Sequence, residues 1–167
     1  WHQEIEDILV LKNNKGTEDN RVRKLDYSIQ ISKLFYARFM QNKDISLFSP
    51  HDAPKLYDAF GTPEFDELYL EYENDTSVPR KTIGGQELFM SLLKERSETG
   101  RIYIMNIDHC NSHSSFKDKV NMSNLCQEIT LPTEPINHID DPNGEIALCI
   151  LSAINVGKIT QLDQMDE

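Results

Sequence analysis

The chain has 167 residues, of which 38% are hydrophobic and 27% charged, a composition typical of a soluble globular protein. Its 17 lysines and arginines against 28 acidic residues give a formal net charge of −11, which argues against non-specific binding to nucleic acid or anionic membranes, since both need clustered positive charge. The sequence has no apolar run long enough to span a bilayer and no signal-peptide pattern, and its three cysteines lack framework spacing. We therefore expect a reducing compartment and a cytoplasmic location.

The first 42 residues contain two predicted helices. An apolar stripe of Ile5, Ile8 and Leu9 predicts a helix from Trp1 to about Lys12, which ends at the turn formers that follow. Apolar residues at helical spacing predict a second, longer helix from Arg21 to about Asn42.

The next segment combines a short strand with two helices. Ile45 to Phe48 is a predicted strand, and a helix is predicted from Pro54 to Phe60. Another helix is expected to follow, with Thr62 as its N-cap and Pro63 at its first helical position, where the missing N–H of proline costs nothing.

A helix followed by a glycine and a strand is the strongest structural pattern in the chain. Regularly spaced leucines predict a helix from Gln86 to Thr99, and Gly100 stands where a left-handed C-cap belongs. The short apolar run from Arg101 to Ile107 then predicts a strand buried on both faces. This order of elements is typical of α/β proteins.

The C-terminal part is predicted to contain a turn and a second buried strand. The residues from Asp141 to Gly144 suit the four positions of a turn, and the nearly unbroken apolar run from Ile146 to Val156 predicts a buried strand.

One short stretch combines a thiol, an amide and a carboxylate. In extended backbone, residues two apart lie on one face, so Asn124, Cys126 and Glu128 would stand side by side. Such a set suits the handling of a substrate hydroxyl and an adjacent C–H bond. The alternative interpretation is that Cys126 is a small hydrophobic residue of the core.

The motif from Ser123 to Ile129 resembles the active-site finger loop of the large subunit of class I ribonucleotide reductase. Further segments resemble the same family in the same order along the chain, and they cover essentially all of it: Asn20–Arg23 with Leu25–Tyr27, Leu47–Asp52, Leu56–Phe60, Thr99–Tyr103, Asp108–Asn111 and Gly144–Cys149. Several motifs in one order are far more specific than the cysteine motif alone.

The resemblance implies a fold and a size. The fold of the family is a ten-stranded α/β barrel with the finger loop inserted through its middle, and residues 1–167 would be part of this catalytic barrel domain. About residues 1–100 would be mainly helical, and about residues 101–167 would be strand-rich and carry the loop. Because the chain begins at Trp1 rather than Met and the family is much longer, we interpret it as an internal piece, from a split gene or a fragment.

The resemblance also implies a role for each of four residues. Cys126 would be the transient thiyl radical, Glu128 the acceptor of a proton from the 3′-hydroxyl, and Asn124 a hydrogen-bonding residue and proton acceptor for the substrate hydroxyls. Cys149 would be one of two redox-active thiols, with its partner cysteine outside this chain.

The activity implied is reduction of ribonucleoside diphosphates to deoxyribonucleoside diphosphates. Its partners would be the remaining large-subunit polypeptide and a small subunit that contains a metal and generates the radical, with thioredoxin or glutaredoxin as reductant and no cofactor bound by this segment. The alternative is an inactive remnant or interaction piece of a split large subunit. Intact Asn124, Cys126, Glu128 and Cys149 favour the catalytic interpretation.

The histidines and cysteines suggest two other chemistries. His109 and His113 have a spacing that can bind a metal on a helix, but they follow a strand among turn formers and lack the further ligands of a zinc site, so no metal site is predicted. A nucleophilic pair of Cys126 and His109 would need an oxyanion hole that the sequence does not identify.

Overall fold

The computed structural model describes residues 1–158, without the side chains of Asn20 and Val156. The chain divides into two compact units, Trp1–Pro132 and Thr133–Glu167. None of the helices in the described residues is long and apolar enough to cross a membrane.

The first unit contains six α-helices and four strands in its described residues. In chain order these are α1 (Ile5–Leu9), β1 (Ser28–Ile31), α2 (Lys33–Met40), β2 (Asp44–Leu47), α3 (Pro54–Ala59), α4 (Glu64–Asn74), β3 (Lys81–Gly84), α5 (Gly85–Thr99), β4 (Tyr103–Asn106) and α6 (Ile107–Ser112). Two single turns of 3₁₀ helix occur at Glu18–Asn20 and Val156–Lys158.

The strands form two separate pairs. β1 and β4 are parallel, with Ser28 opposite Tyr103, and β2 and β3 are antiparallel, with Asp44 opposite Gly84. The parallel pair is joined through helical segments, as parallel strands require. Residues 1–158 therefore have a mixed helix and strand fold without a closed barrel.

Three hydrophobic clusters hold these elements together, the smallest of them formed by Met105, Ile107 and Val120. The first packs α1 and α5 against strands of both pairs, and its buried members are Leu9, Ile31, Ile45, Leu47, Ile83, Leu88, Leu92 and Ile102. The second packs α3 against α4, and its buried members are Phe48, Ala53, Leu56, Ala59, Phe65 and Tyr69.

The strongest sequence pattern is confirmed as a helix, a glycine and a strand, but the strand is not buried on both faces, since only Met105 of Tyr103–Asn106 is buried. Helix α5 ends at Thr99, and Gly100 adopts a left-handed conformation with φ of 65°, which glycine tolerates because it has no Cβ. The predicted strands at Ile45–Phe48 and Arg101–Ile107 correspond to β2 and the shorter β4, and the helix predicted from Pro54 is α3.

The prediction of one long helix from Arg21 to Asn42 is wrong. Its first half contains β1, and the helical part is confined to α2. The Ser32 side chain accepts a hydrogen bond from the Phe35 amide at 3.3 Å, so a polar N-cap separates strand from helix. The apolar residues of Ser28–Ile31 fit the two-residue period of a strand as well as a helical stripe, and pairing with β4 decides between them.

The N-terminal helix is also shorter than predicted. Only Ile5–Leu9 is helical, because the backbone before it pairs with Phe48. The Phe48 amide donates to the Trp1 carbonyl at 2.8 Å, and the Gln3 amide donates to the Phe48 carbonyl at 3.0 Å. This pairing extends the chain around His2.

The predicted cap of α4 is wrong by one residue. The helix begins at Glu64 with Pro63 in the N-cap position. The Thr62 hydroxyl does not cap it and donates instead to the Ala59 carbonyl at 2.8 Å, at the end of α3.

In the second unit, the turn is confirmed and the strand is wrong. The Gly144 amide donates to the Asp141 carbonyl at 3.4 Å, as a turn at these residues requires. The run from Ile146 forms no strand, and its large side chains are 71–95% exposed: Ile146, Leu148, Ile150, Leu151 and Ile154. A strand needs a partner for its backbone groups, and the described residues 133–158 supply none.

Candidate functional site

The loop from Asn124 to Ile129 is closed by its own hydrogen bonds. The Ile129 amide donates to the side-chain oxygen Oδ1 of Asn124 at 2.9 Å, and the Asn124 amide donates to the Ile129 carbonyl at 3.4 Å. The Gln127 amide donates to the Asn124 carbonyl at 3.2 Å. Asn124 therefore sets the shape of the loop with both its backbone and its side chain.

This geometry corrects the predicted face of Asn124, Cys126 and Glu128. A turn at Leu125 and Cys126 replaces the extended backbone that would align the three side chains. Asparagine favours such turns because its side chain bonds to nearby backbone amides. The three residues are still brought together in one short loop, with Cys126 and Glu128 exposed and Asn124 half-buried.

Gln127 carries the conformational cost of the turn. Its φ is 74°, in the left-handed region that costs residues other than glycine about 1 kcal/mol. Its side-chain amide is buried, and neither polar atom has a hydrogen-bond partner among the described residues. Local strain of this kind is often found at functional sites.

The segment before the loop is held by hydrogen bonds to α6 and β1. The Val120 amide donates to Oδ1 of Asn111 at 2.8 Å, and Nδ2 of Asn111 donates to the Val120 carbonyl at 3.1 Å. The Gln30 side chain donates to the Asn121 carbonyl at 2.8 Å. Helix α6 and strand β1 therefore fix the chain three to four residues before Asn124, where the loop begins.

The thiol of Cys126 lies beside a tyrosine. Its Sγ is 3.7 Å from the hydroxyl oxygen of Tyr103, with the thiol as donor. The pKa of the Tyr103 hydroxyl is raised by Cys126, because the phenol becomes the donor of this hydrogen bond once the sulfur is ionised, and because Coulomb repulsion then disfavours a second negative charge beside it. Sequence reasoning assigned no role to Tyr103, since 23 residues separate it from Cys126 and only the folded loop brings them together.

The two other predicted residues have simple surroundings. The Glu128 carboxylate is exposed and makes no hydrogen bond or ion pair within residues 1–158. Cys149 is a free, exposed cysteine of the second unit. An exposed carboxylate and an exposed thiol are both accessible to a reacting partner.

The two histidine alternatives depend on His109, which lies in α6, and on His113, which is its C-cap residue. The turn formers at Asp108–Ser112 are helical, contrary to the prediction, because they belong to α6. The rings of His109 and His113 are 5.9 Å apart, and the described residues contain no cluster of three or more metal-ligating side chains. The Cys126 thiol forms a hydrogen bond with Tyr103, and within the described residues 1–158 no hydrogen bond joins it to His109.

Comparison with known proteins identifies the family. The model of the ribonucleotide reductase barrel domain matches residues 1–167. A ribonucleoside-diphosphate reductase subunit alpha of Haemophilus influenzae is 55% identical over 98% of this chain and 22% of its own length. The corresponding subunit of Escherichia coli is 54% identical over 82% of this chain and 19% of its own length, and a large subunit of Dictyostelium discoideum is 36% identical over 96% and 18%.

The chain spans about a fifth of the length of the curated relatives that it matches. The match of the barrel-domain model runs from the first residue to the last and includes the loop that carries Cys126. This chain therefore belongs to the ribonucleotide reductase family and is a segment of its barrel domain.

Proposed function

We propose that this chain is a catalytic segment of a ribonucleotide reductase large subunit, and that it reduces ribonucleoside diphosphates when assembled with the rest of that subunit. The observation that carries the proposal is the loop Asn124–Ile129, which presents an exposed thiol and an exposed carboxylate two residues apart in a barrel-domain segment. The relatives named ribonucleoside-diphosphate reductase supply the substrate class.

In the proposed reaction, Cys126 acts as a thiyl radical. Its sulfur takes the hydrogen atom from C3′ of the ribose, which forms an S–H bond and leaves the radical on C3′. Glu128 accepts the proton of the 3′-hydroxyl, and the 2′-hydroxyl takes up a proton from one of the two redox-active thiols and leaves as water. At the end of the reaction C3′ recovers the hydrogen atom from Cys126. A radical-generating small subunit would supply the initial oxidation of the thiol.

Asn124 has a divided role in this proposal. Its Oδ1 already accepts the Ile129 amide, so Nδ2 is the atom left to donate to a substrate hydroxyl. This assignment favours hydrogen bonding and orientation of the substrate over the proton-acceptor role. The loop geometry and substrate binding would then depend on the same side chain.

Cys149 supplies one of the two thiols that provide the reducing electrons. The dithiol loses two electrons and two protons and becomes a disulfide, and the ribonucleotide becomes a deoxyribonucleotide and water. The second thiol comes from the remaining large-subunit polypeptide, and a protein of the thioredoxin or glutaredoxin type restores the pair. The exposed position of Cys149 is compatible with both exchanges.

A second candidate function is that of an interaction piece without turnover. The exposed side chains of the run Ile146–Ile154 favour it, because a hydrophobic surface of this kind usually contacts another polypeptide. The two functions share the same assembly and differ only in whether the assembled complex reacts.

The test is complementation, with deoxyribonucleotide formation as the readout. This chain is mixed with polypeptides that supply the missing large-subunit regions and with a radical-bearing small subunit, and deoxyribonucleotide formation is measured. We expect turnover with the native chain, none with Cys126→Ser, and turnover close to native with the control Cys110→Ala, since Cys110 is a half-buried cysteine of α6 outside the loop.

Turnover that survives Cys126→Ser would exclude Cys126 as the radical site. A complex that assembles, as shown by co-purification, but does not react with the native chain would support the interaction piece.

A further inference from the structure

We infer that Tyr103 is a positioning residue for Cys126, and that its hydroxyl holds the thiol in one orientation by accepting its hydrogen bond. This inference rests on the proposed function, because orientation of the thiol matters for the reaction assigned to it. The contact that carries it is the 3.7 Å separation between Sγ of Cys126 and the hydroxyl oxygen of Tyr103.

Tyr103 is attached to a rigid part of the molecule. It is the first residue of β4 and lies opposite Ser28 of β1 in the parallel pair. Its amide donates to the Tyr27 carbonyl at 3.2 Å. The backbone that carries the phenol is therefore fixed by the sheet.

The same end of the sheet is tied by charged side chains. Asp26, next to Tyr27, accepts a hydrogen bond from Lys12 at 2.6 Å, and Nε of Arg101 lies 3.6 Å from the same carboxylate oxygen. Arg101 is two residues before Tyr103, so one ion pair crosses between the segments that lead into β1 and β4. Tyr103 has little freedom to follow a moving loop.

Cys126, in contrast to Tyr103, does not lie on a strand of the sheet. It lies in an exposed turn, and a cysteine side chain has three staggered rotamers to choose from. Asn124 fixes the backbone of the loop through its hydrogen bond with the Ile129 amide. The hydrogen bond to Tyr103 is thus the described contact that selects one direction for Sγ.

Direction matters more for a hydrogen-atom abstraction than for binding. The reacting atoms must lie within about 3–3.5 Å and be aligned, and small misplacements cost large factors in rate. Because Tyr103 contacts the thiol, its loss is expected to lower kcat and leave KM nearly unchanged. For one weak hydrogen bond the expected loss is about 10-fold in kcat.

The first test detects the contact without any turnover. In this chain labelled with ¹³C at Cζ of tyrosine, the Tyr103 resonance is assigned by its absence in Tyr103→Phe, and its titration is followed by NMR. An ionised sulfur beside Tyr103 would accept the hydrogen bond of the phenol and repel the phenolate, so removal of that sulfur in Cys126→Ala is expected to move the Tyr103 titration to lower pH. Cys110→Ala should leave it in place.

An unchanged Tyr103 titration in Cys126→Ala would overturn the inference. The titrations of the other five tyrosines show in the same spectra whether each variant keeps the native fold.

The second test uses the assembled enzyme. Tyr103→Phe removes only the hydroxyl, and we expect about 10-fold lower kcat with KM within a factor of two of the native value. The control is Tyr57→Phe, which removes a hydroxyl from an exposed tyrosine of α3 and should leave both constants unchanged.

The two tests separate the possible failures. If the native complex reacts and Tyr103→Phe reacts equally fast, the positioning role is wrong and the proposed function stands. If the Tyr103 titration depends on Cys126 but the assembled native complex never reacts, the contact stands and the proposed function fails.

Discussion

The two compact units bury hydrophobic side chains to very different degrees. Every buried hydrophobic residue of the described chain belongs to residues 1–132, where helices and strands cover one another. In residues 133–158 the large hydrophobic side chains are exposed, with Leu148 at 83% and Ile150 at 95%. A hydrophobic sequence pattern therefore predicts a buried element only where the chain also supplies the surface that buries it.

The largest expected effect separates the units directly. Leu47→Ala removes a fully buried side chain of β2, and we expect it to lower the free energy of unfolding by about 3 kcal/mol, from lost burial and the cavity left behind. Leu148→Ala makes the same chemical change at an exposed position and should alter it by less than about 0.5 kcal/mol. Urea denaturation followed by circular dichroism measures both. Equal effects would mean that Leu148 is buried in solution.

A second prediction concerns charge in the first unit. Arg38 of α2 and Glu73 of α4 form an ion pair with Nη1 and Oε1 2.6 Å apart, and the Ser46 hydroxyl donates to the same carboxylate at 2.7 Å. Burial raises the pKa of Glu73, but the hydrogen bonds from Arg38 and Ser46 outweigh burial and lower it below its ordinary 4.5. The charged carboxylate is therefore the form that stabilises the fold.

The sign of the pH dependence follows from this lowered pKa. The contribution of Glu73 is present above pH 4.5 and is lost as the pH falls through the folded-state pKa. Glu73→Gln should cost about 2 kcal/mol at pH 7, and the difference from the native chain should narrow below pH 4.5. Urea denaturation at a series of pH values measures the difference in free energy of unfolding between Glu73→Gln and the native chain.

The control for that series lies in the second unit. Asp141 also has a lowered pKa, from hydrogen bonds donated by the Asn143 and Asn137 backbones, but it is fully exposed in a turn. By the same linkage Asp141→Asn should also weaken the pH dependence of unfolding, but by less than Glu73→Gln, because solvent screens an exposed carboxylate. A constant difference between Glu73→Gln and the native chain across the whole series would contradict the prediction.

The smallest expected effect is confined to the loop. Asn124→Ala removes the acceptor of the Ile129 amide, and we expect about 10-fold faster hydrogen exchange of that amide, the equivalent of one hydrogen bond. Exchange of amides in α5 should stay the same, because the loop makes no hydrogen bond to that helix in the described residues. Amide exchange measured by NMR tests both. Equal protection in Asn124→Ala would show that the loop does not depend on its side-chain bond.

The parts of the fold predicted correctly are those decided by local chemistry. Gly100 ends α5 because of its own backbone freedom, and the residues around Pro54 begin α3 for similarly local reasons. The parts predicted wrongly are decided at a distance. Ser28–Ile31 becomes a strand because β4 lies beside it, 75 residues later in the chain.

The candidate site also has a part that the sequence predicts and a part that only the folded chain determines. The motif from Ser123 to Ile129 selects Asn124, Cys126 and Glu128 as candidates, and their roles remain predictions. The turn that replaces the expected extended face depends on which backbone amide the Asn124 side chain reaches, and the contact with Tyr103 depends on where the sheet holds β4. The spacing of the residues in the motif determines neither the turn nor the contact with Tyr103.

The internal hydrogen bonds of the loop also bear on the order in which a working enzyme would be built. Because Asn124 closes the loop onto Ile129, the conformational entropy of these six residues is lost when the chain folds. Binding of a nucleotide then does not have to meet that cost. The loop would thus be preorganised before other polypeptides assemble around it. Later assembly steps would need to enclose the loop without changing its conformation.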